Sequence, residues 1–343
     1  MVFYILRRLL FLPLALFGVS LLVFTMIGFL SPYQRLATFI NSPERLKSDN
    51  VDKLISFYGL DDPIFIQYFR WMKNVFQGNL GWSYVGKAPV LESILIRFPY
   101  TLELAIFSVI PIIFLGVSFG VLSALHHNKF LDHILRIFAV VGWSFPDFVF
   151  GLIVLMVFYS TLGWFPPGNL SIWAEEIVKS PAFRHITGML TFDSLLNGRL
   201  DVFWDALRHL LGPVLTLTYV EFAFILRITR SSMLEVLRRD YVRTARAKGL
   251  EEKAVIHKHA RRNALVPVAT VSGQTIVGLL AGTVIVETIF NRTGIGSFMA
   301  IAAQQLDYAS IMGGTLFFGL ILILGNLCVD LSYAFIDPRV RLD

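Results

Sequence analysis

Arg227-Ile-Thr-Arg-Ser-Ser-Met-Leu-Glu-Val-Leu-Arg-Arg-Asp-Tyr-Val-Arg-Thr-Ala-Arg-Ala-Lys-Gly-Leu-Glu-Glu-Lys-Ala-Val-Ile-His-Lys-His-Ala-Arg-Arg262 carries eleven Lys/Arg against four acids, and it lies between two apolar segments. A basic loop joining two membrane spans is held on the cytoplasmic side. This stretch therefore orients the chain. It is also a sizeable water-facing surface on that side, so a cytoplasmic partner is expected to dock on it. The plainer alternative is a positive-inside anchor resting on lipid headgroups, and composition alone leaves both readings open.

Outward from this loop the chain is oily. Of its 343 residues 55% are hydrophobic and only 16% charged, with mean hydropathy +0.66, which sets it apart from soluble domains. A hydrocarbon core ~30 Å thick takes about 20 residues of helix. Six segments have that length: Leu9–Leu30, Leu102–Leu125, Ile137–Leu162, Leu210–Ile228, Pro267–Phe290 and Ile311–Ile336, with Glu221 and Asp330 interrupting the fourth and sixth. Lipid offers backbone groups no water, so these runs are expected as helices, and the alternation of a membrane barrel is absent. The expected fold class is an all-α polytopic membrane protein with six transmembrane helices.

Charge sets the topology. Arg7 and Arg8 precede a first apolar run too long for a cleaved signal and lacking a small-x-small site, so it reads as a retained anchor. Alternation then places the His126–Arg136 loop, the 227–262 loop and the tail Asp337–Asp343 inside, with Lys129, Arg136, Arg339 and Arg341. The outer stretch 31–101 is nearly balanced, with eight Lys/Arg and six acids. Both termini are thus expected in the cytoplasm. The net charge of +6 is this topological bias, and no basic patch interleaved with exposed aromatics suggests nucleic acid. The single cysteine, Cys328, lies within the last span and reads as a packing residue.

The expected organisation is an anchor span (1–31), an extracytoplasmic helical cap (32–101) and a five-helix core (102–343) that includes the outer loop 163–209 and the cytoplasmic loop 229–266. In the cap, after Pro43-Glu44-Arg45, Asp61-Asp62-Pro63 precedes Ile64, Phe65, Tyr68, Phe69 and Met72 at helical spacing. Proline in the first turn suits a helix start. Trp71 and Trp82 are expected near the interface. The loop 163–209 opens with the turn cluster Gly163-Trp164-Phe165-Pro166-Pro167-Gly168. Interfacial scaffolding is the plainer role for both segments.

Within the basic loop, Leu234, Leu237, Tyr241 and Ala245 step by three or four as an apolar stripe, while Arg238, Arg239, Arg243 and Arg246 occupy the remainder. Gly249 follows Lys248, as expected where a helix ends in a left-handed residue with a cation in its last turn. Glu251 and Glu252 then suit the start of another helix. The spacing predicts two short helices hinged at Gly249.

The run Arg230 to Leu250 resembles the cytoplasmic coupling loop of ABC-importer permeases, in particular the first permease of the oligopeptide/dipeptide/nickel branch. Further stretches are similar to that branch in the same order: Tyr4-Ile-Leu-Arg-Arg-Leu-Leu10, Gly59-Leu-Asp-Asp-Pro63, Gln67-Tyr-Phe-Arg-Trp71, Gly78-Asn-Leu-Gly81, Arg261-Arg-Asn-Ala-Leu-Val-Pro267, Val286-Glu-Thr-Ile-Phe290, Gly294-Ile-Gly296 and Asp337-Pro-Arg-Val-Arg-Leu342. The resemblance implies the type I ABC importer transmembrane fold and a subunit that is no enzyme. It implies as partners a sister permease, two ATPase subunits, an extracytoplasmic solute-binding protein and membrane lipid. ATP and Mg would sit on the ATPases, with no cofactor on this chain. Coupling would fall on Asp240, Tyr241, Val242, Arg243, Thr244, Ala245, Arg246, Ala247, Lys248, Gly249 and Leu250. The general motif of such loops begins Glu-Ala-Ala and has Gly four residues after the second alanine. Here Arg243 and Thr244 replace Glu and the first Ala, while Ala245 and Gly249 match.

Polar residues inside spans are costly and usually face protein or water. Asp147, beside Pro146, and Glu221 and Gln274 are therefore candidates to line a translocation pathway. For Glu221 an interhelical hydrogen bond is the competing reading. Pro146 is expected to kink the third span. Glu287 and Asp330 read as structural, pairing with arginines. Gly116-Val-Ser-Phe-Gly120 matches the nucleophile pattern Gly-x-Ser-x-Gly, yet inside an apolar helix it suits close helix packing instead; Gly278 and Gly282 repeat that spacing. His126-His127 and His257-x-His259 lack converging acids or thiols, and neither a zinc His-Glu-x-x-His nor a phosphate-binding Gly-x-x-x-x-Gly-Lys-Ser/Thr is present.

The expected function is half of an importer's pathway in the cell inner membrane. Peptides lead oligosaccharides as solute, and nickel is disfavoured because no His or Met cluster faces outward. The rival class is a self-contained channel or ion-coupled carrier using Glu221 and Asp147.

Overall fold

A computed structural model describes residues 2–36 and 51–336. Pro43-Glu44-Arg45 and the tail Asp337–Asp343, used above to read the outer segment and the topology, lie outside the described residues. The chain opens with α1 (Val2–Gly28), then the short helices α2 (Pro32–Leu36) and α3 (Val51–Tyr58). Helix α4 (Ile64–Phe76) starts where the sequence placed it, with Pro63 extended at φ −50°, ψ 140° just before its first turn. Strands β1 (Trp82–Ser83) and β2 (Ala88–Pro89) form a small antiparallel hairpin, the one departure from all-helical structure among the described residues.

The long helices follow. They are α5 (Val90–Leu125), the pair α6 (Phe130–Ser144) and α7 (Asp147–Thr161), then the short α8 (Ile172–Val178) and α9 (Leu190–Leu196). Next come α10 (Leu200–Leu237), α11 (Asp240–Ala247), α12 (Glu252–Leu280), α13 (Val284–Ile289), α14 (Ile295–Gln304) and α15 (Tyr308–Ile336). α5, α10, α12 and α15 are long and apolar enough to cross a membrane, and α6 with α7 forms a bent pair that passes the same test together. The chain is a polytopic helical membrane protein.

Two expected spans need correction. The third, Ile137–Leu162, is not one rod: α6 and α7 meet at 104°. Phe145 (φ −80°, ψ 127°) and Pro146 (φ −60°, ψ 139°) are both extended, because the residue before proline is pushed out of the helical region and proline has no N–H to give. The fifth, Pro267–Phe290, is shifted. Its helix runs from Glu252 to Leu280 and stops at Gly282 (φ +111°), so Val284–Ile289 forms a separate short helix. The second helix of the basic loop is thus no short element but the foot of α12.

The core is built on α5 against α10. A Cβ at Gly116 would lie 2.6 Å from Ile225, and one at Gly120 2.5 Å from Thr229 and 2.8 Å from the Leu226 carbonyl. Only glycine permits this approach, so the Gly-x-Ser-x-Gly run is a packing device and not a nucleophile elbow. Leu104, Ile112, Leu210, Leu217, Ile225, Val268, Val286 and Phe290 close the core around that seam. A Cβ at Gly278, by contrast, would meet nothing within 4 Å among the described residues. The segment 163–209 carries a small core of its own, with Leu170, Ala174, Val178, Phe183, Leu190, Val202 and Ala206.

Candidate functional site

Asp147, Glu221 and Gln274 come from α7, α10 and α12, and all three line one cavity of about 550 Å³. The break at Pro146 explains the first of them: it turns α7 so that Asp147 sits in its first turn, where the helix dipole favours an acid. Glu221 is half-buried and Gln274 is exposed to the void. Among the described residues neither Asp147 nor Glu221 forms a hydrogen bond or ion pair with another side chain, and no Lys, Arg or His lines the cavity. An acid inside a membrane bundle is tolerated facing a water-filled space or a partner of opposite charge, and this cavity supplies the space.

One wall is aromatic. Trp143 of α6 and Phe224 of α10 stack with centroids 5.3 Å apart. The Arg227 guanidinium lies over both rings, at 5.0 Å and 5.4 Å from their centroids, a favourable cation–π geometry. Gly278, Gly282 and Thr283 line the cavity where α12 ends, so the second glycine spacing serves open space here.

At the end of the bundle bearing the hairpin, buried polar groups hold α13 and α14 against α5. Glu103 accepts hydrogen bonds from the Thr191 N–H and Oγ1, both at 2.7 Å, and its other oxygen meets Arg292 Nη2 at 3.3 Å. Glu287 accepts from Thr101 Oγ1 at 2.7 Å and from the Ser297 N–H at 2.9 Å. The expectation that Glu287 pairs with an arginine is corrected: threonine and backbone donors hold it, and the arginine hydrogen-bonds Glu103. Asp307 ties the hairpin to the start of α15 by accepting from Ser83 Oγ at 2.8 Å and the Val85 N–H at 3.1 Å.

At the basic end, Asp132 is fully buried and accepts two hydrogen bonds from Arg230, each 2.8 Å, besides those from Ser123 Oγ and the Asn128 N–H. This clamp joins α5, α6 and α10. Arg238 closes α10, and Arg239 (φ −72°, ψ 148°) separates it from α11. The break divides the expected stripe: Leu234 and Leu237 end on α10, and Tyr241 points to solvent, 42% exposed. The buried residues of α11 are Val242 and Ala245, packed with Val255 of α12. Ala245 is therefore covered by its own chain, whereas Asp240, Tyr241, Arg243, Thr244, Arg246, Ala247, Lys248, Gly249 and Leu250 are exposed. Gly249 has φ +73°. Its N–H donates to the Arg246 carbonyl at 2.9 Å and that of Leu250 to Ala245 at 3.4 Å, the two bonds of a Schellman turn. The Glu252 carboxylate beside Arg246 raises the arginine's pKa above its ordinary value.

Residues 116–342 match the family described as the binding-protein-dependent transport system inner membrane component, and residues 1–105 match that family's N-terminal region. The chain belongs to this permease family. It is 38% identical to the dipeptide transport system permease protein DppB of Alkalihalophilus pseudofirmus, over 99% of this chain and all of that relative. It is 40% identical to the probable D,D-dipeptide transport system permease protein DdpB of Escherichia coli, over 87% of this chain and 86% of the other. The oligopeptide transport system permease protein AppB of Bacillus subtilis is 37% identical over 98% of this chain and 99% of its own length. The resemblance read from the sequence is thus upheld: the chain is an ABC-importer permease, a multi-pass protein of the inner membrane, and a transport subunit rather than an enzyme.

The sequence reading found the cavity residues and Gly249 but missed four features: the Arg230–Asp132 clamp, the Glu103 network, the Arg227 stack and the Arg246–Glu252 pair. Glu103 carried a signal, an acid at the start of an apolar run. Apart from Phe224 and Arg227, three residues apart on α10, the partners lie far apart in the chain or across a turn, and spacing does not display them.

Proposed function

We propose that this chain forms half of the translocation pathway of a peptide importer and passes ATPase motion to it through α11. The observation that carries the reading is the convergence of Asp147, Glu221 and Gln274 on one cavity. Two carboxyl groups with no cation in the cavity lining suit the protonated amino group that an unblocked peptide presents, and the stacked Trp143 and Phe224 add an apolar wall beside them. The names of the relatives, dipeptide and oligopeptide permeases, support the same solute class.

In this reading α1, α5, the broken pair α6–α7, α10, α12 and α15 are six spans, with both termini and α11 in the cytoplasm and residues 32–101 forming the outer cap. A sister permease supplies the facing half of the pathway, and a solute-binding protein delivers peptide to the cap side. Two ATPase subunits hold ATP and Mg and grip the exposed residues of α11, Asp240 to Leu250, while this chain carries no cofactor. The test is reconstitution of the chain with these partners in liposomes. Uptake of a dipeptide should require ATP and stop with vanadate, and it should favour the free dipeptide over its N-acetylated form. Transport by this chain alone under an ion gradient would overturn the proposal in favour of a carrier.

A further inference from the structure

We infer that Arg246 is a positioning residue which, with Glu252, fastens the coupling helix α11 to the foot of α12, so that motion imposed on α11 reaches the cavity through α12 rather than through α10. The inference rests on the coupling role proposed above and adds the route.

The geometry at the two ends of α11 is unequal. At its start, the backbone leaves α10 through Arg238 and an extended Arg239. Among the described residues no side-chain hydrogen bond or ion pair joins α10 (Leu200–Leu237) to α11 (Asp240–Ala247). Arg239 pairs back to Glu235, and Arg243 pairs within α11 to Asp240 at 3.5 Å. Val236 of α10 packs against the cluster of Val242, Ala245 and Val255, and Met233 and Leu237 pack on Ala260 and Ala264 of α12; these contacts are apolar and fix no orientation of α11.

To α12, by contrast, α11 is fixed three ways, from its first turn to its end. Val242 (fully buried) and Ala245 (5% exposed) pack on Val255 (fully buried) at the foot of α12. The Schellman turn at Gly249 sets a tight reversal between the two helices. Across that reversal the Arg246 guanidinium reaches both oxygens of Glu252, with Nε at 3.0 Å and Nη2 at 2.6 Å. Apolar contact between small, smooth side chains resists separation but permits one helix to roll on the other. A two-pronged arginine–carboxylate pair fixes an orientation as well as a distance. Arg246 therefore sets the angle at which α11 stands on α12.

What α12 carries gives this angle its consequence. The helix is continuous from Glu252 to Leu280. It supplies Val271, Gln274, Thr275, Gly278 and Leu279 to the cavity, facing the wall that α10 makes with Leu217, Glu221 and Phe224. α10 itself is held at the basic end by the Arg230–Asp132 clamp to α5 and α6. A displacement of α11 thus moves the Gln274 wall against a held Glu221 wall.

The experiment uses the complete complex of both permeases, ATPases and binding protein in liposomes, with dipeptide as solute. The quantity read is dipeptide imported per ATP hydrolysed, together with ATPase retention on purification. Arg246→Glu and Glu252→Arg should each lower this ratio about two- to fivefold, the range an exposed ion pair can carry, and Glu252→Arg, which lies outside the ATPase-facing run Asp240 to Leu250, should do so with the ATPases still bound. The combined exchange, Arg246→Glu with Glu252→Arg, should restore it. Where a reversal fails to assemble, Glu252→Gln carries the same expectation. An unchanged ratio in the single variants overturns the inference. So does a double exchange as poor as the singles, since Arg246 would then act on the ATPase itself. If the unaltered complex imports nothing with ATP, the coupling role fails first, and the inference with it.

Discussion

Replacing Arg230 by alanine tests the clamp on which the held wall depends. Asp132 is fully buried and receives four hydrogen bonds, two of them from Arg230 at 2.8 Å. Removing one partner of a buried ion pair strands the other, at a cost of about 3–5 kcal/mol in well-covered sites. Two features place this clamp at the lower end. Ser123 and the Asn128 N–H continue to donate, and Arg230 is itself 17% exposed, so water reaches the position it vacates. The cost is thus about 3 kcal/mol, which corresponds to a fall in apparent melting temperature of about 5 °C for a chain of this size. Melting of the detergent-purified complex, followed by tryptophan fluorescence at one fixed scan rate because membrane assemblies unfold irreversibly, reads it. The apolar pair Asp132→Leu with Arg230→Met should recover most of the loss, because the stranded charge is gone. If Arg230→Ala melts within about 1 °C of the parent, the covered carboxylate is being satisfied by other donors, and the clamp does not hold α10.

Glu221→Gln should lower dipeptide uptake about tenfold and narrow the preference for free over N-acetylated dipeptide, since a charge-assisted hydrogen bond is worth about 1.5–3 kcal/mol; equal uptake by parent and variant would remove Glu221 from the pathway. Gly120→Val places a Cβ 2.5 Å from Thr229 and 2.8 Å from a carbonyl, and forcing α5 from α10 should cost about 3 kcal/mol or more, visible as loss of the monodisperse peak in size-exclusion chromatography. Gly249→Val, at φ +73°, should lose about 1–2 kcal/mol at the turn and with it ATP-coupled uptake. Gly249→Asn should be milder, because asparagine tolerates that conformation.

Much of this was legible because lipid imposes simple rules. Apolar length gave the long helices, and the cost of a polar side chain in a membrane picked out Asp147, Glu221 and Gln274, which the fold then brings to one cavity. Local backbone chemistry was legible too: Pro63 marks a helix start and Gly249 a left-handed turn. What could not be read was where apolar runs stop being one rod. Ile137–Leu162 and Pro267–Phe290 are each apolar but for isolated polar residues such as Asp147, Gln274 and Glu287, so hydropathy merges α6 with α7 and α12 with α13. The proline at 146 announced a kink but not its 104° size, which depends on what the freed segment packs against. The stripe through Tyr241 failed for a related reason. Its periodicity assumes one helix, and Arg239 ends that helix before the stripe is complete.

These interruptions have a common physical consequence. A continuous membrane helix satisfies its own backbone and shows neighbours only side chains, so a bundle of such rods has no reason to enclose polar space. Non-helical backbone at membrane depth is tolerated where protein or a water-filled cavity covers it. Here the break at Phe145–Pro146 puts Asp147 beside the cavity, and the break at Gly282–Thr283 contributes both of those residues to its lining. The third interruption, at Gly249, lies in the basic loop and joins α11 to the same helix, α12, whose other end is the break at Gly282. One helix therefore runs from the coupling turn to the cavity and ends at Gly282, whose φ of +111° breaks it. That arrangement lets a push at one end be felt as a shift of the Gln274 wall without unpacking the glycine seam between α5 and α10. It also makes α12 the helix on which stiffening substitutions should act. Thr275→Ala, which raises helix propensity without filling the seam, should leave coupling intact, whereas Thr275→Pro, which adds a second proline to the native Pro267 and removes a backbone hydrogen bond within the cavity wall, should lower it. Uptake per ATP measured on the two variants distinguishes a rod from a passive wall, and equal coupling in both would show that α12 does not carry the motion.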